Sequence, residues 1–401
     1  MGTLWLTGGR VVTPDAVLTD AGVLVRDGLI TEVVADAARP SEEPDQVVEL
    51  HGATLLPGFV DLHVHGGGGA GFDDGAASIA AGLAVHRATG TTRSLVSLVT
   101  APPSDMVRAI AAAAQYAAGD PTVLGLHLEG PFLSPDRRGV HDPAALQSPD
   151  PALLDSFLDA GAGSVAVLTL APELTGGMDL LHHAVDAGVR VAVGHSDAGY
   201  DVARQAFSAG AGLVTHAFNG MRPMHHRDPA IIGAAMDAGV VLEAINDGVH
   251  LHEATVRLLR SIAPGRVALI TDAMAATCAA DGSYHLGAFG VQVTDGVARL
   301  ADGTIAGSTL TLEVAVQRAV QLVGMSLVEA VNAASLVPAR YLGVDDRFGS
   351  IRPGRAADLV VTDDDLAVRA VLLDGQWLDD RRPEVRRSTG GPASAGAGRP
   401  R

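Results

Sequence analysis

Gly58-Phe59-Val60-Asp61-Leu62-His63-Val64-His65, followed by glycines at 66–69, is the stretch on which the reading of the fold turns. The run reads as a buried strand, and a strand's period of two puts His63 and His65 on one face, where two imidazoles can grip one metal ion. The glycines let the backbone turn tightly just beyond them and let a ligand approach closely.

Outward from this stretch, residues 53–343 alternate buried-strand runs with amphipathic or Ala-rich helical stretches, the pattern of a parallel sheet with crossover helices. The remaining strands are expected at 91–99, 123–127, 164–170, 190–195, 213–216, 240–244 and 267–271. About eight such units predict an α/β fold of the closed (β/α)8, TIM-like type. Further metal-ligand types recur at strand ends: Glu129 after the third, His195 at the fifth, His216 at the sixth and Asp272 at the eighth. Barrel enzymes build their sites at that C-terminal face. Neutral imidazoles with hard carboxylates suit Zn(II), Fe(II) or Mn(II).

The chain ends have another texture. Residues 1–52 and 344–385 read as the two parts of a small β-sandwich domain, with turns at Gly8-Gly9 and Asp27-Gly28 and a hairpin at Asp374-Gly375. A β excursion interrupts the barrel near 284–306, and the Ser/Gly/Pro/Ala-rich segment 386–401 reads as a disordered tail.

Composition removes whole chemistries. Of 401 residues 47% are hydrophobic, too many for disorder, and the net charge of -18 disfavours nucleic acid or an anionic membrane as partner. All 28 basic residues are arginine, so Schiff-base, pyridoxal-phosphate and Walker-type chemistries lack their lysine. Cys278 is the single cysteine, which excludes an intrachain disulfide and a Cys-based zinc ribbon and fits a cytoplasmic location. The first ten residues lack a signal peptide's pattern, and no apolar run reaches the roughly 18 residues of a spanning helix. An anionic substrate would need a local basic clamp on so acidic a chain.

His63-x-His65, His195, His216 and Asp272 resemble the ligand set of the amidohydrolase superfamily, whose (β/α) barrels hydrolyse amides and related bonds with one or two metals. Many members bridge two metals with a carboxylated lysine on the fourth strand, and that subgroup is excluded here. One branch uses a glutamate after the third strand, and Leu126-His127-Leu128-Glu129-Gly130-Pro131-Phe132 resembles the motif of that branch, the N-acetylglucosamine-6-phosphate deacetylases. Gly139-Val140-His141, Gly194-His195-Ser196-Asp197-Ala198, Thr215-His216-Ala217-Phe218-Asn219-Gly220-Met221, Asp247-Gly248-Val249-His250, Thr271-Asp272-Ala273 and Ala306-Gly307-Ser308 match it as well.

The resemblance implies one ion on His63, His65, Glu129 and Asp272 and another on Glu129, His195 and His216, with Zn first and Fe, Mn, Co or Cd as alternatives. Some members carry Gln and Asn in place of His63 and His65 and work with one ion; here both histidines are present. A bound metal lowers the pKa of water to about 7 and polarises the acetamide carbonyl. Asp272 is then the general base and acid, and His141 holds the carbonyl oxygen or a sugar hydroxyl. Val140, Asn219, Gly220, Asp247, His250, Ile305, Ala306 and Gly307 are implied substrate contacts, and Arg227 is the candidate phosphate clamp, acting across a homodimer interface. The reaction implied is N-acetylglucosamine 6-phosphate to glucosamine 6-phosphate and acetate, in amino-sugar catabolism and cell-wall recycling. Another N-acyl sugar phosphate, such as N-acetylgalactosamine 6-phosphate, and a non-catalytic sugar-phosphate-binding barrel are the alternatives. His127 is either a support for the site or plain core, and Cys278 reads as a small buried apolar residue.

Overall fold

The computed structural model describes residues 2–35, 39–378 and 385–387. Eight parallel strands follow one another around a barrel in sequence order: β1 (Phe59–Asp61), β2 (Thr91–Val99), β3 (Val123–Glu129), β4 (Val165–Leu170), β5 (Arg190–Val193), β6 (Ala211–Val214), β7 (Val241–Ile245) and β8 (Val267–Ile270). Every residue of β2 is buried, as expected of a strand covered on both faces. The seam between β8 and β1 closes just past the ladder. There the Asp272 amide donates to the His63 carbonyl and the His65 amide to the Ala273 carbonyl, both at 2.8 Å. Below them the Thr271 hydroxyl donates to the Asp61 carboxylate at 2.6 Å.

Helices follow the strands around the outside, from Ala76–Ala88 after β1 to Glu253–Ile262 after β7. Their starts follow from local chemistry: the Asp150 side chain accepts from the Ala152 amide with Pro151 at the first helical position, and Ser326 with Glu329 forms a capping box. After β8 the expected excursion is a three-stranded antiparallel sheet, Gly282–Leu286, Phe289–Thr294 and Val297–Arg299. Its Leu286, Val291 and Val293 pack on Val99, Met274 and Ala306.

Several strand ends differ from the expectation. β1, β5 and β6 stop at Asp61, Val193 and Val214, before the histidines assigned to them. His195 and His216 have φ of 47° and 27°, left-handed values that leave the ladder. β3 runs on to Glu129.

The chain ends build one nine-stranded sheet, in which Leu359–Thr362 pairs antiparallel with Thr54–Pro57. Asp27-Gly28 and Asp374-Gly375 are two-residue hairpin turns with φ of 49° and 81°, and 47° and 76°. Gly8-Gly9 is not a turn. It is a bulge inside Thr3–Val12, which pairs through Leu4–Thr7 with Gln46–Glu49 and through Arg10 and Val11 with Thr54 and Leu55. Arg386 and Arg387, expected in the tail, lie in the strand Val385–Arg387 opposite Val47 and Gln46. The remainder of that tail, 388–401, lies outside the described residues.

Arg93 of β2 ties the barrel to the end sheet. Its Nε and Nη2 grip the Asp358 carboxylate at 2.6 and 3.0 Å, Nη1 donates to the Pro121 carbonyl at 2.9 Å, and the guanidinium lies 4.2 Å from the Phe348 ring centroid. Both side chains of the ion pair are buried, at 2% and 3% exposure. Arg93→Ala leaves Asp358 unpaired in that setting and is expected to cost about 3–5 kcal/mol. Urea unfolding measures it, and a loss under about 1 kcal/mol would show that the clamp does not hold the two parts together.

Candidate metal centre

Six side chains reach the barrel mouth from five strand ends. Glu129 is the last residue of β3, whereas His63, His195, His216 and Asp272 each lie two residues past the end of their strands and His65 four past. Glu129 stands at the centre. Its Oε1 is 3.0 Å from His195 Nε2 and 3.0 Å from His216 Nε2, and 3.5 Å from His63 Nε2, while its Oε2 is 3.3 Å from His65 Nε2. Asp272 Oδ1 closes the His63 and His65 side at 3.5 and 3.4 Å. All six residues are buried.

The donor set fits a cation. His63 Nδ1 faces Glu243 Oε2 at 3.2 Å, His195 Nδ1 the Arg137 carbonyl at 2.9 Å, and His216 Nδ1 the Asn219 carbonyl at 3.2 Å. An acceptor at each Nδ1 keeps the proton there and leaves an Nε2 lone pair aimed inward, the usual arrangement of a metal-binding histidine. Yet His63 and His65 Nε2 are 2.9 Å apart, and His195 and His216 Nε2 3.0 Å. His195 and His216, with both Nδ1 atoms committed to acceptors, face each other with lone pairs that repel unless a positive charge lies between them, whereas His65, whose Nδ1 has no partner, meets His63 with room for a proton between the two Nε2 atoms.

The electrostatics express the same demand. Burial alone would lower the imidazoles, but the Glu129 and Asp272 carboxylates outweigh it, raising His63 well above its usual value and His65 to about 9. Burial would likewise raise the two carboxyls, and the facing histidines instead hold both well below the usual carboxylate range. His195, pushed down by burial and then by His141, titrates at about 4.

His141 is the exception in tautomer. The Thr100 amide donates to its Nδ1 at 3.4 Å, which puts the proton on Nε2, and Nε2 makes no hydrogen bond, with Glu129 Oε2 3.5 Å away. It faces a cavity of about 210 Å³ whose floor is Glu129, His195, His216 and Asp272 and whose walls include Val140, Asn219, Gly220, His250, Ile305 and Gly307. Ala306 is buried behind the wall, and Asp247 stands behind His250, accepting from its Nδ1 at 2.6 Å. The structure does not bring Arg227 into this cavity. It lies exposed on the surface beside Arg222 and Asp228, its guanidinium 2.7 Å from His226 Nε2. Cys278, expected to be buried, is exposed.

One feature escaped the sequence reading and another was left open by it. Glu243, 1% exposed in β7, holds His63 from below; its only signal was a lone carboxylate in the run Val241-Leu242-Glu243-Ala244-Ile245. His127, left open between support and core, is hydrogen-bonded to Ser97 Oγ at 3.0 Å and Thr169 Oγ1 at 2.8 Å, with its ring edge-on to His63. It braces the floor and does not reach the donor cluster.

Residues 54–378 match the amidohydrolase family model. The chain is 38% identical over 376 residues to the N-acetylgalactosamine-6-phosphate deacetylase of Escherichia coli O157:H7, covering 92% of this chain and 98% of the relative. It is 34% identical over 403 residues to the N-acetylglucosamine-6-phosphate deacetylase of Bos taurus, covering 95% and 93%. The solved N-acetyl-D-glucosamine-6-phosphate deacetylase from Mycobacterium smegmatis, in complex with N-acetyl-D-glucosamine-6-phosphate, superposes with a TM-score of 0.89 at 40% identity, covering 94% of this chain and 99% of that one.

Because Nε2 must shed its proton to take a cation, and His65 titrates at about 9, uptake of Zn2+ by metal-free protein at pH 7 is expected to expel protons and to tighten as pH rises toward 9. Calorimetry in buffers of different ionisation enthalpy counts those protons. Uptake without proton release would contradict the electrostatics of the cluster.

Proposed function

The chain belongs to the amidohydrolase family, among its amino-sugar-6-phosphate deacetylases, and from that premise we propose that it cleaves N-acetylglucosamine 6-phosphate to glucosamine 6-phosphate and acetate. It is a hydrolase acting on an amide bond. The observation that carries the reading is the buried cluster around Glu129, with two imidazole pairs at 2.9 and 3.0 Å and Asp272 at the edge of the cavity.

The residues divide the work by chemistry. His63, His65, Glu129 and Asp272 would hold one divalent ion, and Glu129, His195 and His216 a second, with zinc suited to this mix of nitrogen and oxygen donors. A bound divalent ion supplies Lewis acidity, polarising the amide carbonyl and acidifying water to a pKa of about 7. His141 donates from Nε2 to the carbonyl oxygen as it gains negative charge. Asp272, held ionised by His63 and His65, accepts the proton of the attacking water and returns it to the departing nitrogen, since an amine leaves only when protonated. His250, oriented by Asp247, and Asn219 face the sugar.

The phosphate calls for a cation that this cavity's own walls do not supply, since among the described residues lining it the basic groups are imidazoles. Arg227, exposed on its loop, serves the cavity of a second copy in a homodimer. A second sugar is kept in view. The Escherichia coli relative acts on the galactosamine compound, which differs in the configuration at C4.

Acetate release is to be measured on both phosphorylated sugars and on N-acetylglucosamine, with bound metal counted in the same preparation. The expected result is strong preference for a phosphorylated sugar by metal-loaded protein, the C4 epimer deciding between the two; no turnover of any of them would discard the substrate class. Asp272→Asn is expected to lower kcat by about 10²- to 10⁴-fold with the fold kept. Wild-type kcat in that variant would remove Asp272 from proton transfer.

Arg227→Ala is expected to raise KM for the phosphorylated sugar by about 10- to 100-fold, the worth of one charge-assisted contact. Mixing Arg227→Ala chains with Asp272→Asn chains tests the interface. A mixed dimer regains one cavity of normal KM if Arg227 reaches across, and none if it acts within its own chain.

A further inference from the structure

We propose that Glu243 is a positioning residue that binds the two halves of the metal centre into one unit, so that neither ion is held at full strength without it; this rests on the two-ion reading above. Glu129 joins the halves from above, in the cavity floor. Glu243 joins them from below. Its Oε2 faces His63 Nδ1 at 3.2 Å and accepts the backbone amide of His216 at 3.0 Å, and the side chain is 1% exposed. His63 stands with His65 and Asp272 on one side of Glu129, His216 with His195 on the other.

Each contact controls how a donor is presented. The Nδ1 partner decides which nitrogen of His63 carries the proton and so whether Nε2 offers a lone pair. The His216 amide is a different case. Its strand ends at Val214 and its φ is 27°, so that N–H has left the sheet ladder and, being buried, requires another acceptor. The turn that aims the His216 ring at Glu129 is therefore held by the same oxygen that sets the tautomer of His63. The two rings are also direct neighbours, with centroids 5.5 Å apart.

Removing that oxygen should weaken both ions together. The test is uptake of Zn2+ by metal-free full-length chain, with stoichiometry and both affinities measured against a competing chelator, in wild type, Glu243→Gln, Glu243→Met and a His65→Ala control. Glu243→Met is expected to lower both affinities by about 100-fold and Glu243→Gln, which keeps an acceptor oxygen, by about 10-fold, the range for partners of metal-bound histidines. His65→Ala should weaken one ion more than the other. The ligand-field spectrum of Co2+ gives a second readout, expected to change in both variants while thermal unfolding of the metal-free chains stays close to wild type for Glu243→Gln. If Glu243→Met does not fold, Glu243→Gln carries the test alone. Two ions held at wild-type affinity, or loss confined to one of them, overturns the proposal. A wild-type chain that takes up a single ion overturns it as well, and one that takes up none overturns the metal reading with it.

Discussion

Two buried imidazole pairs whose Nε2 atoms lie 2.9 and 3.0 Å apart at the floor of the cavity are the constraint around which the top of this barrel is organised. Such a contact needs a proton or a cation between the nitrogens. The surroundings do not relieve it by tipping a ring away. They enforce it, with a carboxylate or carbonyl acceptor behind the Nδ1 of three of the four rings and the Glu129 carboxylate in front. The raised pKa values of His63 and His65 and the depressed carboxyls of Glu129 and Asp272 are one fact seen from both sides.

That geometry depends on the register of the barrel seam. His63 and His65 follow β1 and Asp272 follows β8, and the two bonds that close the seam there, from the Asp272 amide to the His63 carbonyl and from the His65 amide to the Ala273 carbonyl, set how these side chains face one another. Two contacts across the seam pin the register: the Asp61 carboxylate accepts from the Thr271 hydroxyl at 2.6 Å and from the Thr271 amide at 3.3 Å, while the His63 amide, in its own segment, donates to it at 3.2 Å. Burial raises Asp61 to about 7 even against these donors, so the seam is held at some electrostatic cost. Arg93 then fastens the neighbouring strand to the end sheet, which links the chain termini to the walls of the barrel.

Much of this was legible in the chain because it is written in strong local signals. Unbroken apolar runs mark strands buried on both faces, His-x-His just past such a run marks a donor pair although the ladder stops at Asp61 before it, and Asp-Gly pairs marked both hairpin turns. Gly8-Gly9 misled because a bulge and a turn ask the same thing of glycine, a positive φ, and only the pairing partners distinguish them. Glu243 escaped because a lone carboxylate between apolar neighbours has the same sequence signature whether it faces solvent or a barrel axis. Arg227 could be singled out as a cation of the right kind, but its distance from its own cavity is a property of the folded loop that no spacing encodes.

The strand ends carry the remaining lesson. A side chain within a barrel strand points straight in or straight out, which serves Glu129 at the very end of β3 but leaves donors from other strands short of a common point above the mouth. His195, His216 and Asp272 solve this by leaving the ladder into left-handed backbone, at φ of 47°, 27° and 49°. For residues with a Cβ that conformation costs on the order of 1–3 kcal/mol each, and it persists only where neighbours over-determine it. They do: the His195 carbonyl accepts from Ser134, the His216 amide donates to Glu243, and Asp272 is tied through its amide to His63 and through its carbonyl to Ser308. One of these ties, the Asp272 amide on the His63 carbonyl, runs to another residue of the donor cluster, and the His216 tie runs to Glu243, which also holds His63. The strained turns and the donor cluster therefore stand or fall together, and a substitution that relaxes one turn removes a donor from the centre without touching any side chain that faces the ion.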